Sequence, residues 1–292
     1  MSQSRYANIF QDKDRDLTDK AIALALEEDG RDLTTIGLFG PDETMRAEIV
    51  AKEKAVVCGL PLLDRVTEMA AEPGATPCSC RLLTGEGSLV NTGITVAALS
   101  GPARTLLRAE RVMLNLLCRL SGVASLTREY SLALDGTGAK LLDTRKTTPC
   151  LRRLEKYAVR VGGGHNHRMN LEDMLMLKDT HLDRAGSIRE AVAMLRRVHS
   201  PCPPIEVECR TLDDVREAVS SGAERVMLDN MDTDAIRRAL ELIPPGTESE
   251  ISGGVNLETA RTLASLGADY LSVGRLTHSA RAIDFSMRTI PE

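Results

Sequence analysis

The chain has 292 residues, of which 42% are hydrophobic and 27% charged, a composition typical of a globular protein with one large domain or two modest ones. Its net charge of −5 argues against general nucleic-acid binding, and 2% aromatic content without tryptophan argues against base-stacking surfaces. The N-terminal segment has no apolar signal-peptide core, and no apolar run approaches the length of about 18 residues that would suggest a membrane span. Seven cysteines form no CxxC pair, which favours reduced thiols. We therefore expect a cytoplasmic protein with no membrane or nucleic-acid partner.

The first part of the chain predicts a mixed α/β domain over residues 1–110. Helical and alternating apolar periods and turn residues define its elements. These are, in order, a helix over 17–28, a loop or short strand from Asp32 to Thr35, two strands within 45–60, a helix over 61–71, and strands near 79–83 and 93–100 joined by a turn-rich link.

A long helix is expected to begin at Gly101 and to continue through Leu120. Arg111 and Asn115 are one helical turn apart on it and therefore share a face. Taken alone, this polar pair is typical of a solvated rim.

After Gly136, strand-like runs alternate with amphipathic helices, which indicates βα units and a parallel sheet. Six strands are clear and a seventh is possible, so we expect a small or incomplete α/β (TIM-like) barrel over 111–276 rather than an open doubly wound sheet. The C-terminal segment 277–292 is expected to rejoin the first domain. The strands are predicted at 140–143, 174–177, 204–208, 225–228, 249–252 and 270–273, and the helices near 187–198, 212–220, 233–242 and 257–266.

Each predicted barrel strand ends in polar residues or glycine, and the carboxyl ends of barrel strands form the active-site edge. Glu208 and Asp229 each end an apolar run, so we expect both at the barrel mouth. Ser252, Gly253 and Gly274 follow the last two strands, where backbone N–H groups commonly bind phosphate. Any one of these residues could instead serve a helix cap or a simple turn, but six polar strand ends together favour a site.

The segment 141–182 concentrates cations and histidines, which indicates a pocket for a small, strongly anionic ligand. It combines a triple glycine, Gly162–Gly164, with three of the five histidines of the chain. The candidate binding residues in this segment are Arg145, Lys146, His167, Arg168 and Lys178.

Several motifs in this order resemble the quinolinate phosphoribosyltransferase family. They are DTRKTTP (143–149), LEKYAVRVGGGHNHR (154–168), LKDTH (177–181), EVE (206–208), LDN (228–230), SGG (252–254) and VGRLTHS (273–279), preceded by AERVMLNLLCRLSGVAS (109–125). The similarity covers nearly the whole chain, which makes it far more specific than any single motif. Arg275 and a shortened turn at 28–32 depart from the family pattern.

The resemblance implies a Mg²⁺-dependent reaction of quinolinate with phosphoribosyl pyrophosphate that gives nicotinate mononucleotide, CO₂ and pyrophosphate. It also implies an N-terminal α/β sandwich, an irregular α/β barrel and a homodimer or higher homo-oligomer in which Arg111 is donated to the neighbouring subunit's site. By the same resemblance, Arg145, His167, Arg168 and Lys178 surround the dicarboxylate, and Lys146 lies near phosphoribosyl pyrophosphate. Glu208 and Asp229 lie near the ribose and metal, and Ser252, Gly253 and Gly274 form the 5′-phosphate loops.

Three other functions remain open from the residues alone. A related phosphoribosyltransferase could use a different acceptor acid, like the homologues associated with molybdenum transport operons. A Schiff-base aldolase could use Lys178 as its nucleophile. A non-catalytic anion-binding protein would not explain why Glu208 and Asp229 accompany the cations.

Overall fold

The computed structural model describes residues 6, 9–10 and 12–291, which fall into two compact units. The first unit takes in the described residues up to Arg128 together with Thr147–Gly163 and the residues from Ser279 on, and the second comprises Glu129–Lys146 and Gly164–His278. The predicted boundary between residues 110 and 111 lies inside a single long helix, Ala103–Ala133. The predicted domain ranges, 1–110 with 277–292 and 111–276, stay a prediction.

The first unit is built on an antiparallel sheet in the order β12-β1-β5-β3, beside a small β2-β4 pair. Its core is a continuous apolar cluster that includes Ile49, Leu63, Val66, Leu106 and Met113. Its helices and strands are α1 (Asp12–Asp29), α2 (Leu33–Leu38), β1 (Thr44–Ala51), β2 (Ala55–Val56), α3 (Leu62–Ala70), β3 (Ser79–Leu82), β4 (Leu89–Val90), β5 (Thr95–Pro102), most of α4 (Ala103–Ala133), α5 (Arg152–Gly162) and β12 (Phe285–Ile290).

Three local predictions for this unit were wrong or incomplete. Asp32 does not begin a loop or strand but is the N-cap of the short helix α2. Its carboxylate accepts a hydrogen bond from the Thr35 N–H at 2.9 Å. The turn-rich link contains the short strand β4. The long helix α4 continues past Leu120 to Ala133.

The second unit carries a parallel six-stranded sheet in the order β6-β11-β10-β9-β8-β7. Strands β7 to β11 are neighbours in chain order, and β11 pairs with β6, the first strand of the set. This return to the first strand fits an incomplete α/β barrel and rules out a doubly wound order. Its elements are β6 (Lys140–Leu142), β7 (Leu175–Leu177), α6 (Asp179–Ala185), α7 (Ile188–Val198), β8 (Ile205–Cys209), α8 (Leu212–Ser220), β9 (Arg225–Asp229), α9 (Thr233–Leu242), β10 (Glu248–Ser252), α10 (Leu257–Ala264), β11 (Tyr270–Ser272) and α11 (Arg275–His278).

The barrel is open between β6 and β7, which do not pair with each other in the described sheet. The segment at His165 lies along the free side of β6, where it forms an isolated parallel bridge with Leu142. The His165 N–H donates to the Leu141 carbonyl at 2.8 Å, and the Asp143 N–H donates to the His165 carbonyl at 3.1 Å. This short bridge fixes the start of the histidine-containing loop.

In the part of the chain that the structure describes, no helix combines the length and apolar character required to cross a bilayer.

Candidate active site

A cavity of about 500 Å³ lies at the carboxyl ends of the barrel strands. It brings together nine of the residues that the sequence predicted for the site, all from the second unit. These are Arg145, Lys146, His167, Arg168, Lys178, Glu208, Asp229, Ser252 and Gly253. The tenth, Gly274, lines an adjoining cavity that shares Lys146, Ser252 and Gly253 with the first.

The two-residue period of the strands directs acidic side chains into the barrel mouth. Glu208 is next to last in β8, and Asp229 ends the neighbouring strand β9. Glu208 is mostly buried and its carboxylate lies 2.9 Å from the Lys178 Nζ, whereas Asp229 is half-buried. The cavity therefore holds two carboxylates on adjacent strands, one of them already paired with a cation.

Asp143 is a fully buried carboxylate directly after β6. Its two oxygens accept hydrogen bonds from the His167 N–H at 2.9 Å and from the Asn166 side-chain amide at 2.6 Å. Because a buried carboxylate is costly to leave unpaired, these bonds fix the loop that carries His167 and Arg168.

The run of glycines before this loop has a structural explanation. Gly163 caps α5 with a φ of +99°, in the left-handed region that favours glycine. A Cβ on Gly162 would lie 2.5 Å from the Ala124 carbonyl oxygen, so a side chain cannot be accommodated there. Gly162 and Gly163 thus allow α5 to end against α4 and the chain to reverse direction before His165.

Two guanidinium groups converge on the cavity, those of Arg145 and Arg168. Burial and the charge of Arg145 lower the pKa of Arg168 from its ordinary value. The Arg168 Nη1 donates to the Met174 carbonyl at 2.9 Å, while the buried Arg145 Nε has no hydrogen-bond partner among the described residues. Two cations held this close, one with an unpaired buried donor, favour an anionic ligand.

The glycine loops bring main chain close to the cavity. Gly253 has a φ of +95°, and a Cβ there would lie 2.7 Å from the Asn230 backbone nitrogen. The Asn230 N–H donates to the Ser252 carbonyl at 3.0 Å, so the loops after β9 and β10 are joined directly. At Gly274 a Cβ would lie 3.1 Å from the Lys146 side chain. These loops can therefore present backbone amides closely to a ligand such as a phosphate.

A buried polar layer beneath the cavity was missed by the sequence reasoning. The His167 Nε2 lies 3.0 Å from Glu206 and 3.4 Å from Glu250, both fully buried carboxylates. Burial alone would lower the pKa of His167, but the two carboxylates outweigh it and raise the pKa to about 9. Burial and the charge of Glu250 raise the pKa of Glu206. The strand period was the available signal, because it places Glu206 on the same face as Glu208 and Glu250 on the same face as Ser252.

The described residues contain one compact group of three metal-ligating side chains, and it is His167, Glu206 and Glu250. The predicted metal ligands, Glu208 and Asp229, are not part of it. The buried group already has a cationic partner, because the Arg225 guanidinium lies 3.4 Å from Glu250. The chemistry of Glu208 and Asp229 suits Mg²⁺ better, since Mg²⁺ is usually held by one or two carboxylates, waters and substrate phosphates.

Arg111 is exposed on α4, within the first unit, and so is Asn115 one turn further on. Arg111 is not among the described residues that line the cavity. Its exposure agrees with either a solvated rim or a contact with another chain.

Two family models match the chain in succession. The N-terminal domain of quinolinate phosphoribosyl transferase matches residues 32–121, and its C-terminal domain matches residues 123–288. The chain belongs to the quinolinate phosphoribosyltransferase family. Among curated members, it is 42% identical to a probable carboxylating nicotinate-nucleotide pyrophosphorylase of Bacillus subtilis, over 88% of this chain and 87% of that protein. A similarly described Synechocystis protein is 42% identical over 90% of this chain and 89% of its own length.

Solved quinolinate phosphoribosyltransferase relatives share the fold. NadC from Streptococcus pyogenes superposes with a TM-score of 0.88 and 38% identity, over 96% of this chain and 100% of that one. The sequence-based prediction of the family and of its sandwich-plus-barrel fold is thereby confirmed.

Proposed function

We propose that the chain transfers the phosphoribosyl group of phosphoribosyl pyrophosphate to quinolinate, with decarboxylation, to give nicotinate mononucleotide, CO₂ and pyrophosphate in de novo NAD biosynthesis. The observation that carries this proposal is the division of charge in one cavity. Arg145, Arg168 and Lys178 supply cations, and Glu208 and Asp229 supply anions. A dianionic acceptor and a sugar that becomes cationic need both kinds of group.

The cations bind the acceptor. Guanidinium groups bind carboxylates through two parallel hydrogen bonds, so Arg145 and Arg168 suit the two adjacent carboxylates of quinolinate. His167 and Lys178 complete this wall, and Lys146, which lines both adjoining cavities, lies toward the pyrophosphate-bearing substrate. Ser252, Gly253 and Gly274 hold the 5′-phosphate through backbone N–H groups.

The anions stabilise the transfer. As the C1′–oxygen bond to pyrophosphate breaks, positive charge develops on the ribose, and Glu208 and Asp229 offset it. The ring nitrogen of quinolinate then forms a bond with C1′. The C2–carboxylate bond breaks to release CO₂, the electron pair stays at C2 beside the positively charged nitrogen, and a proton replaces the lost group. This sequence requires no covalent enzyme intermediate.

Glu208 and Asp229 would hold Mg²⁺ together with the substrate phosphates. The ion would supply positive charge to the leaving pyrophosphate. Lys178 pairs with Glu208 at 2.9 Å, so this carboxylate is positioned before either substrate binds. The same ion pair opposes a Schiff-base role, because an ammonium group has no free electron pair with which to attack a carbonyl.

A homodimer or higher homo-oligomer in the cytoplasm completes the proposal, with Arg111 of one subunit acting in the site of another. Its exposure on α4 leaves the side chain accessible to another chain. Mixing inactive Arg111→Ala with inactive Lys178→Ala subunits should restore part of the activity, because some sites then receive both native residues. No recovery after verified subunit exchange would contradict a shared site.

The decisive assay supplies phosphoribosyl pyrophosphate, Mg²⁺ and either quinolinate or nicotinate, and measures nicotinate mononucleotide. We expect nicotinate mononucleotide and an equimolar amount of CO₂ with quinolinate, and no product with nicotinate. Turnover of nicotinate without quinolinate turnover would overturn the assignment in favour of a different acceptor. Omission of Mg²⁺ with a chelator should abolish product, and undiminished product would remove the metal from the proposal.

A further inference from the structure

The floor of the cavity rests on an unusual pair of buried acids. Glu206 on β8 and Glu250 on β10 are both fully buried and flank β9. Their Oε2 atoms lie 3.0 Å and 3.4 Å from the same atom, the His167 Nε2. Barrel interiors are usually packed with branched apolar side chains, so two carboxylates here need a physical reason.

We propose that Glu206 and Glu250 are positioning residues that orient the His167 ring and keep it an imidazolium, which gives the cavity floor a fixed positive charge for a carboxylate of the acceptor. This inference rests on the proposed function, because it concerns how the same site binds quinolinate. Glu206 does not line the cavity and Glu250 does, but the proposal has both acids act through His167, whose Nε2 they contact.

Charge balance supports the inference. Burial and the charge of Glu250 raise the pKa of Glu206, so both carboxylates of this layer stay ionised only when two positive charges accompany them, because an unpaired buried ion is costly. Arg225 supplies one, at 3.4 Å from Glu250, and is itself held by Glu248 at 2.7 Å. His167 is the nearest remaining group that can take a positive charge. Its raised pKa, about 9, agrees with that assignment.

Of the other charged groups around His167, some favour protonation of its ring and others oppose it. Asp143 lies on the side of β6 and accepts the His167 backbone N–H at 2.9 Å. Arg145 and Arg168 share the cavity with the ring, and their charges oppose its protonation. The Arg168 N–H points at the His167 Nδ1 at 2.7 Å, which favours a neutral ring. The charges of Glu206 and Glu250, both in contact with the Nε2, outweigh this effect on the protonation of the ring. The Arg168 N–H belongs to the next residue, so the chain itself holds it near the Nδ1.

The first test measures the protonation of His167 without reference to activity. Nitrogen NMR of protein labelled at its five histidines follows each ring from pH 5 to pH 10, and His167→Gln identifies the signal. We expect His167 to titrate near pH 9 in the native chain and at a clearly lower pH, toward its ordinary value of 6.5, in Glu250→Gln. Titration at or below 6.5 in the native chain would overturn the proposal, whatever the enzyme activity.

The second test is the pH dependence of the KM for quinolinate. Quinolinate keeps its two negative charges from pH 6 to pH 8, so the ratio of variant to native KM reports the protein. In Glu206→Gln and Glu250→Gln the ratio should rise roughly tenfold over this range as His167 loses its proton, because the acceptor carboxylate then faces a neutral ring instead of a positive charge. The kcat should change much less, since the acids act on binding.

Glu248→Gln is the matched control. It removes another carboxylate of the same strand, one that contacts Arg225 and the Tyr270 hydroxyl. Its KM ratio should stay flat with pH, and His167→Gln should show a raised KM that is also independent of pH. A flat ratio in both Glu206→Gln and Glu250→Gln, with folded protein and normal product formation, would refute the positioning role while leaving the proposed function intact. Loss of quinolinate turnover by the native chain would instead refute the proposed function, and the NMR test would still decide the state of His167.

Discussion

Substitution of Gly253 by alanine tests how the glycine loop after β10 is built. Gly253 has a φ of +95°, and a Cβ there would lie 2.7 Å from the Asn230 backbone nitrogen. The left-handed conformation alone costs a non-glycine residue about 1–2 kcal/mol. Forcing a methyl group against backbone adds roughly 1–3 kcal/mol, because the neighbouring loop must move. Gly253→Ala should therefore lower the free energy of unfolding by about 3 kcal/mol.

The adjacent glycine is the matched control. Gly254 has a φ of +62°, and a Cβ there meets nothing within 4 Å. Gly254→Ala thus carries the conformational cost without the overlap and should lose only about 1 kcal/mol. Because the chain lacks tryptophan, unfolding in urea is best followed by far-ultraviolet circular dichroism.

The variants Gly253→Ala and Gly254→Ala also distinguish an effect on substrate binding from an effect on stability. Movement of Asn230 displaces the main chain beside Asp229 and Ser252, so Gly253→Ala should raise the KM for phosphoribosyl pyrophosphate more than the KM for quinolinate. Equal losses of stability in the two variants would refute the overlap argument. An unchanged KM for phosphoribosyl pyrophosphate in Gly253→Ala would refute the place of this loop in binding it.

Three further predictions concern single side chains. Arg145→Ala should lower kcat/KM for quinolinate by the equivalent of about 2–5 kcal/mol, and near-native kinetics would rule out its contact with the acceptor. Arg216→Ala is the control and should change kcat/KM little, because Arg216 is exposed and pairs with Asp213 one helical turn away. Cys150 is exposed with a φ of +66°, so Cys150→Gly should raise the urea midpoint by the equivalent of up to about 1 kcal/mol, and a lower midpoint would contradict strain at this position. Because the folded pKa of His167, about 9, exceeds its ordinary value of 6.5, its stabilising contribution of roughly 3 kcal/mol is complete below about pH 6.5 and is lost as pH rises through 9. Urea midpoints measured from pH 6 to pH 10 should fall more in the native chain than in His167→Gln, and parallel curves would exclude this linkage.

Local patterns predicted much of the second unit. The helices over 212–220 and 233–242 have the predicted bounds, because each has a strong apolar stripe and a polar N-cap, Thr211 or Asp232. Polar residues at the strand ends predicted the cavity, since parallel strands necessarily bring their carboxyl ends to one edge. Lys178, Glu208, Asp229, Ser252 and Gly253 line it for that reason, whereas His167 and Arg168 reach it from a loop.

Elements that depend on distant partners were harder to predict. Strand β12 pairs with β1 across most of the chain, with Phe285 opposite Ala51, and its apolar–polar alternation covers only the four residues from Phe285 to Arg288. Helix α5 lies in the basic segment that drew attention for its charges, yet buried Glu155 binds Arg119 at 2.7 Å. The charge pattern of this helix indicated a ligand site, but its buried Glu155 serves to hold the helix against α4.

The sequence alone determined the family, the order of βα units and the cations of the site, because these reside in local periodicity and in motifs that are contiguous along the chain. Only the tertiary structure decided what lies beneath them. Glu206, Glu250 and His167 come from three separated segments. The strand period places the two glutamates on the faces of Glu208 and Ser252, but it does not indicate that both meet His167. Their contact depends on the bridge between His165 and Leu142, which places the histidine loop beside β6. It also depends on the strand order, which places β8 and β10 on either side of β9.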